Sequence, residues 1–265
     1  MNNKVTVIIP VHELNETIES LLVNAIKSVD NQKSDIPVIL VYSTNTGNDI
    51  SKLFQKNSFD STIKLIENKN ESDFQTQINL AVKNVETEYF SILEFDDEYA
   101  PTYVKSMSKY IEYYKNVDVL LPIIVEVDNN GNYIKFTNEG SWAQQLIGEN
   151  GEAGFLNNNI LNQYTDFKLS GALIKTKSFI DIGGFKSNIK MTFMLEFIYR
   201  LLNNAGKLFT VSKFLYKHLS LRENSLTDFY LKTINITERK FWFETAKKES
   251  NFINDRIIDI TGLNK

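Results

Sequence analysis

The feature that most narrows the fold is an alternation of strand-like and helix-like segments, repeated four times over residues 1–115. Val5-Thr6-Val7-Ile8-Ile9 is an unbroken β-branched run closed by Pro10. Such runs suit strands buried on both faces, as in a parallel sheet. Asn15 then stands where it can cap a helix whose apolar positions, Ile18, Leu21, Leu22, Ala25, Ile26 and Val29, follow the helical period. Pro37 to Tyr42 reads as a second strand, opening into the polar loop 43–49 and a short helix around Ile50, Leu53 and Phe54. Ile63 to Ile66 is a third. Ser72 with Gln75 has the form of a capping box ahead of the stripe Phe74, Ile78, Ala81, Val82 and Val85. Tyr89 to Leu93 is a fourth strand, and Pro101 opens a helix carrying Val104, Met107, Ile111 and Tyr114. Strand–helix repeats of this kind predict an α/β fold, a mostly parallel sheet with right-handed crossovers. Ligands of such sheets bind at the carboxyl ends of the strands, where the loops after Pro10, Tyr42 and Leu93 converge.

The fourth strand ends in Glu94, Asp96, Asp97 and Glu98, four acids within five positions. Carboxylates this dense repel one another unless a cation or water lies among them. Mg²⁺ and Mn²⁺ take oxygen ligands and bridge one or two carboxylates to a substrate phosphate. The stretch is therefore either a metal–diphosphate site or a solvated acidic turn favoured by the dipole of the following helix.

The remaining bounds are broad. An apolar fraction of 42% with 18 Phe and 12 Tyr supports an aromatic-rich core. Net charge −4 argues against a general electrostatic grip on nucleic acid or anionic membrane. With no cysteine, disulfides and thiolate-held metals are excluded. No signal peptide is read, and no apolar run approaches the ~20 residues of a membrane helix, so a cytoplasmic protein is expected.

The second half is less regular. Val117 to Val127 is strand-like, and Asp128-Asn129-Asn130-Gly131 signals a turn before Tyr133 to Phe136. Residues 137–165 form a long polar loop, the type that often serves as a lid or binding segment. Leu169 to Ile174 reads as a strand, Gly183-Gly184 as a tight turn, Phe193 to Leu201 as a helix and Leu208 to Val211 as a strand. Lys217-His218 and Arg222 to Ser225 read as a polar loop, and an aromatic-rich helix starts at Leu226.

In order and spacing these pieces resemble glycosyltransferase family 2, which has the GT-A fold, over residues 5–225. The carriers are residues 7–16, the Glu94-Phe95-Asp96-Asp97 element with Pro101, Gly183-Gly184-Phe185 with the helix ending in Arg200-Leu201, and Tyr216-Lys217-His218 with Ser225 beyond. The resemblance implies an inverting transferase that uses a nucleotide-diphosphate sugar, a UDP-sugar favoured, with Mn²⁺ or Mg²⁺ on the leaving diphosphate and a carboxylate base. It implies metal ligands Asp96, His218 and Glu94. Nucleotide-sugar contacts fall on Pro10, His12, Glu13, Ser43, Asn79, Asp97 and Arg222, and acceptor contacts on Trp142 and Gly184.

The family's acidic pair on the acceptor helix is missing, since the segment reads Phe193-Met194-Leu195-Glu196. Glu196 is the base expected there, with Glu152 or Asp166 as replacements; an ion pair with Arg200 at i,i+4 is the structural alternative. Residues 1–225 are expected as the transferase domain (1–115 nucleotide-binding half, 116–225 acceptor half) and 226–265 as a helical extension. A nucleotidyltransferase would favour a glycine-rich basic loop after the first strand, which Val11 to Asn15 does not provide; a non-catalytic sugar-nucleotide-binding module stays open. The acceptor is unassigned: a glycan, a lipid-linked sugar, a protein, or a modified DNA base. The last would need a basic face, for instance Lys168, Lys175, Lys177, Lys186 and Lys190.

Overall fold

The computed structural model describes residues 4–69, 73–139, 146–147, 153–163 and 166–253. The chain runs β1 (Val5–Val11), α1 (Glu16–Asp30), β2 (Val38–Ser43), α2 (Gly47–Lys56), β3 (Ile63–Asn68), α3 (Phe74–Val82), β4 (Tyr89–Ile92), β5 (Glu98–Tyr99) and α4 (Tyr103–Tyr113). The second half holds β6 (Val119–Val127), β7 (Tyr133–Thr137), β8 (Leu146–Ile147), β9 (Ala153–Leu156), α5 (Asn158–Gln163), β10 (Leu173–Lys175), α6 (Thr176–Asp181), α7 (Phe193–Asn203), β11 (Leu208–Leu219), α8 (Leu226–Thr233) and α9 (Ile236–Glu249).

The sheet order is β3-β2-β1-β4-β10-β6-β11-β9-β8, with β5 on β11 and β7 on β6. β3, β2, β1 and β4 are parallel, as are β6 and β11; β10 runs antiparallel between the two groups. Val5, Val7, Ile8, Ile9 and Val11 of β1 are all at most 4% exposed. That burial on both faces is why the β-branched run carries no polar alternation. One apolar layer joins α1, α2 and α4 to the sheet, and the other joins α3, α6 and α7. Both apolar layers leave the carboxyl ends of β1, β4 and β11 free to carry polar side chains.

Several local readings change. The span 137–165, read as a long polar loop, carries β8, β9 and α5, and the strand read from Leu169 begins only at Leu173. α3 is capped by Asp73, which accepts from the Thr76 N–H at 2.9 Å; Ser72 lies outside the described residues. The strand expected at Leu208 to Val211 continues to Leu219, because β6 pairs with it along its length and β5 takes Tyr216 and Lys217, so Lys217 and His218 are strand residues. The aromatic helix after Leu226 is two helices, the second restarted by the Asn235 cap on the Glu238 N–H. α9 is tied to the body by Thr192 Oγ1 and Lys186 Nζ, which donate to the carbonyls of Trp242 and Glu249 at 2.9 and 2.5 Å.

Candidate active site

The acidic stretch is a tight turn. The Asp97 N–H donates to the Glu94 carbonyl at 3.0 Å, which brings side chains three positions apart to the same side. β11 runs in from the far end of the chain and sets His218 against them. Glu94, Asp97 and His218 each offer a ligand atom within 4.8 Å of the other two. His218 Nδ1 donates to Asp97 Oδ2 at 2.9 Å, and the Leu219 N–H donates to Asp97 Oδ1 at 2.8 Å. Burial alone would lower the His218 pKa; the charge and hydrogen bond of Asp97 outweigh it and raise it to about 9. Burial, and then the Asp97 charge, push the Glu94 carboxyl up.

Asp96 faces the other way. Its carboxylate accepts from Arg222 Nε at 2.7 Å, and Arg222 Nη2 donates to Glu13 at 3.0 Å while the guanidinium lies 5.3 Å from the Phe95 ring centroid. Burial and the charges of Asp97 and Glu94 raise the Asp96 pKa to about 7 against the pull of Arg222. Asp97, read from the sequence as a nucleotide contact, is the acid grouped with Glu94 and His218, while Asp96, read as a metal ligand, is aimed at Arg222 by the Glu94–Asp97 turn.

Glu94, Asp96, His218 and Arg222 line a cavity of about 360 Å³, with the fully buried Asp97 behind them; its walls also include Pro10, His12, Phe74, Asp166, Lys168 and Ser225. His12 packs edge-on against Phe95 at 5.2 Å, burial lowers its pKa, and its Nδ1 has no hydrogen-bond partner among the described residues. Ser43 is buried under this corner and accepts from Gln77 Nε2 at 2.9 Å. Asp166 reaches the cavity wall exposed, paired with Lys135.

Glu196 does not reach this cavity. It is fully buried, grips Arg200 through both oxygens at 2.8 Å, and lies 3.2 Å from Lys186 Nζ. Arg200 in turn donates to the carbonyls of Ile182 and Gly184. The expectation of a base at Glu196 is corrected to an internal ion-pair cluster that holds α7 to the Gly-Gly turn. Asn79 and Gly184 change with it. Asn79 is bonded both ways to the Phe185 backbone, at 2.7 and 2.9 Å, and Gly184 sits at φ +66° with Asn79 Oδ1 2.5 Å from where a Cβ would be. Both shape the turn. Trp142 and Glu152 lie outside the described residues.

Sequence reading missed the groups under the acidic turn. Ser170 Oγ donates to Glu94, and the Glu94 N–H donates to the Tyr216 hydroxyl at 3.1 Å. Glu126, on β6 beside His218, accepts from Lys168 at 2.9 Å and from Thr137 and Ser220, each at 2.5 Å. Burial would raise its pKa, but Lys168 and these donors hold it down at about 2. One signal was available: Gly171 interrupts an apolar strand run, a mark of close backbone approach. At φ +71°, a Cβ there would stand 2.3 Å from the Tyr216 ring.

The sequence matches the glycosyl transferase family 2 model over residues 6–187. The chain belongs to glycosyl transferase family 2. That makes it a nucleotide-sugar-dependent glycosyltransferase, and the matched span ends before the strand that carries His218. Among solved structures it is similar to S. aureus TarS 1–349 in complex with UDP-GlcNAc (16% identity, TM-score 0.62, covering 99% of this chain and 76% of that one). It is similar also to the same protein in complex with UDP (18%, 0.61, 99% and 75%) and to longer TarS, of which it spans 46% (18%, 0.60). At these identities the likeness establishes a shared GT-A-type fold. No curated protein matches the sequence closely enough to count as a relative. No helix among the described residues is long and apolar enough to cross a membrane.

Proposed function

We propose that the chain moves a sugar from a UDP-sugar to an acceptor hydroxyl with inversion, using a divalent cation of the Mn²⁺ or Mg²⁺ kind. The observation that carries the reading is the convergence of Glu94, Asp97 and His218 at the carboxyl ends of β4 and β11 in a family 2 fold. Two carboxylates and an imidazole within 4.8 Å suit a cation with ligand bonds of about 2.1–2.3 Å. Bound there, the ion would neutralise charge developing on the departing diphosphate. Arg222, already in the cavity wall, adds a fork of donors matched to phosphate oxygens. His12, with its open Nδ1, and Pro10 form the nucleoside side. UDP is favoured because the similar TarS structures hold UDP and UDP-GlcNAc.

Asp166 is the base we assign. Met194 and Leu195 stand where the acidic pair was expected, Glu126 is buried and held by Lys168, Thr137 and Ser220, and Asp166, though paired with Lys135, is exposed on the cavity wall. Its carboxylate would take the proton of the attacking hydroxyl. Asp166→Asn is expected to lower kcat at least about 100-fold with UDP affinity unchanged. Equal turnover in wild type and variant would remove Asp166 from the role. The wider reading is tested by calorimetric titration of nucleoside diphosphates with and without Mn²⁺. UDP binding strengthened by Mn²⁺ supports it; no binding of any nucleoside diphosphate contradicts it.

A further inference from the structure

Of the lysines expected to form a basic face, Lys168 is paired with Glu126, Lys177 with Asp181, and Lys186 is buried against Glu196, so these three supply no free charge. The unassigned polar groups that bear on the site lie beneath Glu94. A glutamate side chain left free samples many rotamers, and fixing it costs entropy. Here it is held at both ends. The Glu94 N–H donates to the Tyr216 hydroxyl at 3.1 Å, and Ser170 Oγ donates to Glu94 Oε1. Among the described residues Ser170 is the only side-chain donor to this carboxylate, so Oε2 is left open. Ser170 and Tyr216 are both at most 1% exposed, and neither lines the cavity.

Both holders are themselves fixed. The Gly171 N–H donates to the Ile92 carbonyl at 2.8 Å, and the Tyr103 hydroxyl donates to the Gly171 carbonyl at 2.7 Å, which sets Ser170 beside the end of β4. Tyr103 stacks on Tyr99 with ring centroids 3.9 Å apart, and the Tyr99 hydroxyl donates to Ser91 Oγ at 2.7 Å. Tyr216 lies edge-on to Tyr99 at 5.8 Å, paired to it through β5 and to Ile124 through β6. Buried polar groups satisfied in this way hold a single arrangement. Side chains two apart on a strand share a face. Tyr216 and His218 of β11 therefore reach the same side, one holding Glu94 and the other Asp97.

We propose that Ser170 and Tyr216 are positioning residues of the transferase, fixing Glu94 so that it offers a cation one oxygen, Oε2, beside Asp97 and His218. Groups that hydrogen-bond a ligating carboxylate orient it and tune the ion it accepts. Mg²⁺ demands near-octahedral geometry and takes few protein oxygens, whereas Ca²⁺ takes more, often binding both oxygens of one carboxylate. With Oε1 held by Ser170, Glu94 does not chelate through both, so the site prefers Mn²⁺ and Mg²⁺ to Ca²⁺. The inference rests on Glu94, Asp97 and His218 being a cation site.

The test follows free Mn²⁺ by electron paramagnetic resonance as the full chain takes up the ion, with Ca²⁺ as competitor. Wild type is compared with Ser170→Ala and Tyr216→Phe, each of which deletes one hydroxyl. Both variants are expected to bind Mn²⁺ at least about ten-fold more weakly, with UDP affinity in the absence of metal unchanged. In Ser170→Ala, with Oε1 released, Ca²⁺ affinity is expected to hold, so the preference for Mn²⁺ narrows by about ten-fold. Wild-type Mn²⁺ affinity in both folded variants, with only the urea midpoint lowered, would mean a structural role alone and overturns the proposal. Equal loss of Mn²⁺ and Ca²⁺ affinity in Ser170→Ala overturns the one-oxygen selection. The variants are independent, so misfolding of one leaves the other to decide the positioning role. Wild type that takes up no Mn²⁺ strikes the cation site itself, and the positioning role with it.

Discussion

Asp97 holds the imidazolium of His218 and the N–H of Leu219 on one carboxylate, while its neighbour Asp96 holds Arg222. Adjacent acids therefore face different chemistry, and only the backbone turn decides which is which. The same residue-level logic separates Glu196 from catalysis. Its substitution by Gln leaves Arg200 and Lys186 buried without a counter-charge, so Glu196→Gln is expected to lose about 3–5 kcal/mol in urea unfolding, with UDP affinity of the folded fraction unchanged. A stable variant with lost turnover would return Glu196 to the role of base. Glu126 gives a pH signature. Its folded pKa of about 2 lies below the ordinary value of 4.5, so its contribution is present above pH 4.5 and lost as the pH falls toward 2. Acid unfolding of Glu126→Gln should accordingly show a shallower pH dependence than wild type over that window; identical slopes would mean the network around Glu126 does not stabilise the fold.

Among the elements, β11 does the most to assemble the site, and it shows where the sequence was readable. β1, β2 and β4 could be read because double burial demands apolar runs such as Val5 to Ile9, and each run announces itself. Asn15 caps α1 as its position suggests, accepting from the Ile18 N–H at 3.1 Å. β11 could not be read past Val211, because Ser212 and Lys213 bulge outward and the pairing that extends it comes from β5 and β6, over a hundred and about ninety residues away in sequence. The site divides the same way. The acidic turn and His218 were legible as residue types, yet which acid joins His218 depends on the turn geometry at Glu94. Glu196 misled because a carboxylate on the expected helix looks the same whether it faces a cavity or an arginine. The packing of β11 rests on Gly171. Gly171→Ala, with φ +71° and the Tyr216 ring in the way, is expected to destabilise by about 3 kcal/mol and to weaken metal-dependent UDP binding through the displaced Tyr216–Glu94 contact. Wild-type stability would show that the ring yields freely.

For the whole molecule, a parallel half brings the Pro10, His12 and Glu94 segments to one edge, and the chain returns through β6 and β11 to close that edge with His218 and Arg222. The start of α8 belongs to this closure, since Ser225, Leu226 and Thr227 line the cavity. We propose that Glu94, Asp97 and His218 form a cation site that grips a UDP diphosphate. Its most direct test is UDP titration with and without Mn²⁺ in wild type and Asp97→Asn, alongside Mn²⁺ titration alone. Mn²⁺ is expected to tighten UDP binding in wild type by about ten-fold or more, and Asp97→Asn to stay folded but lose that gain. UDP affinity indifferent to Mn²⁺ in wild type, or a metal effect that survives in Asp97→Asn, would contradict it.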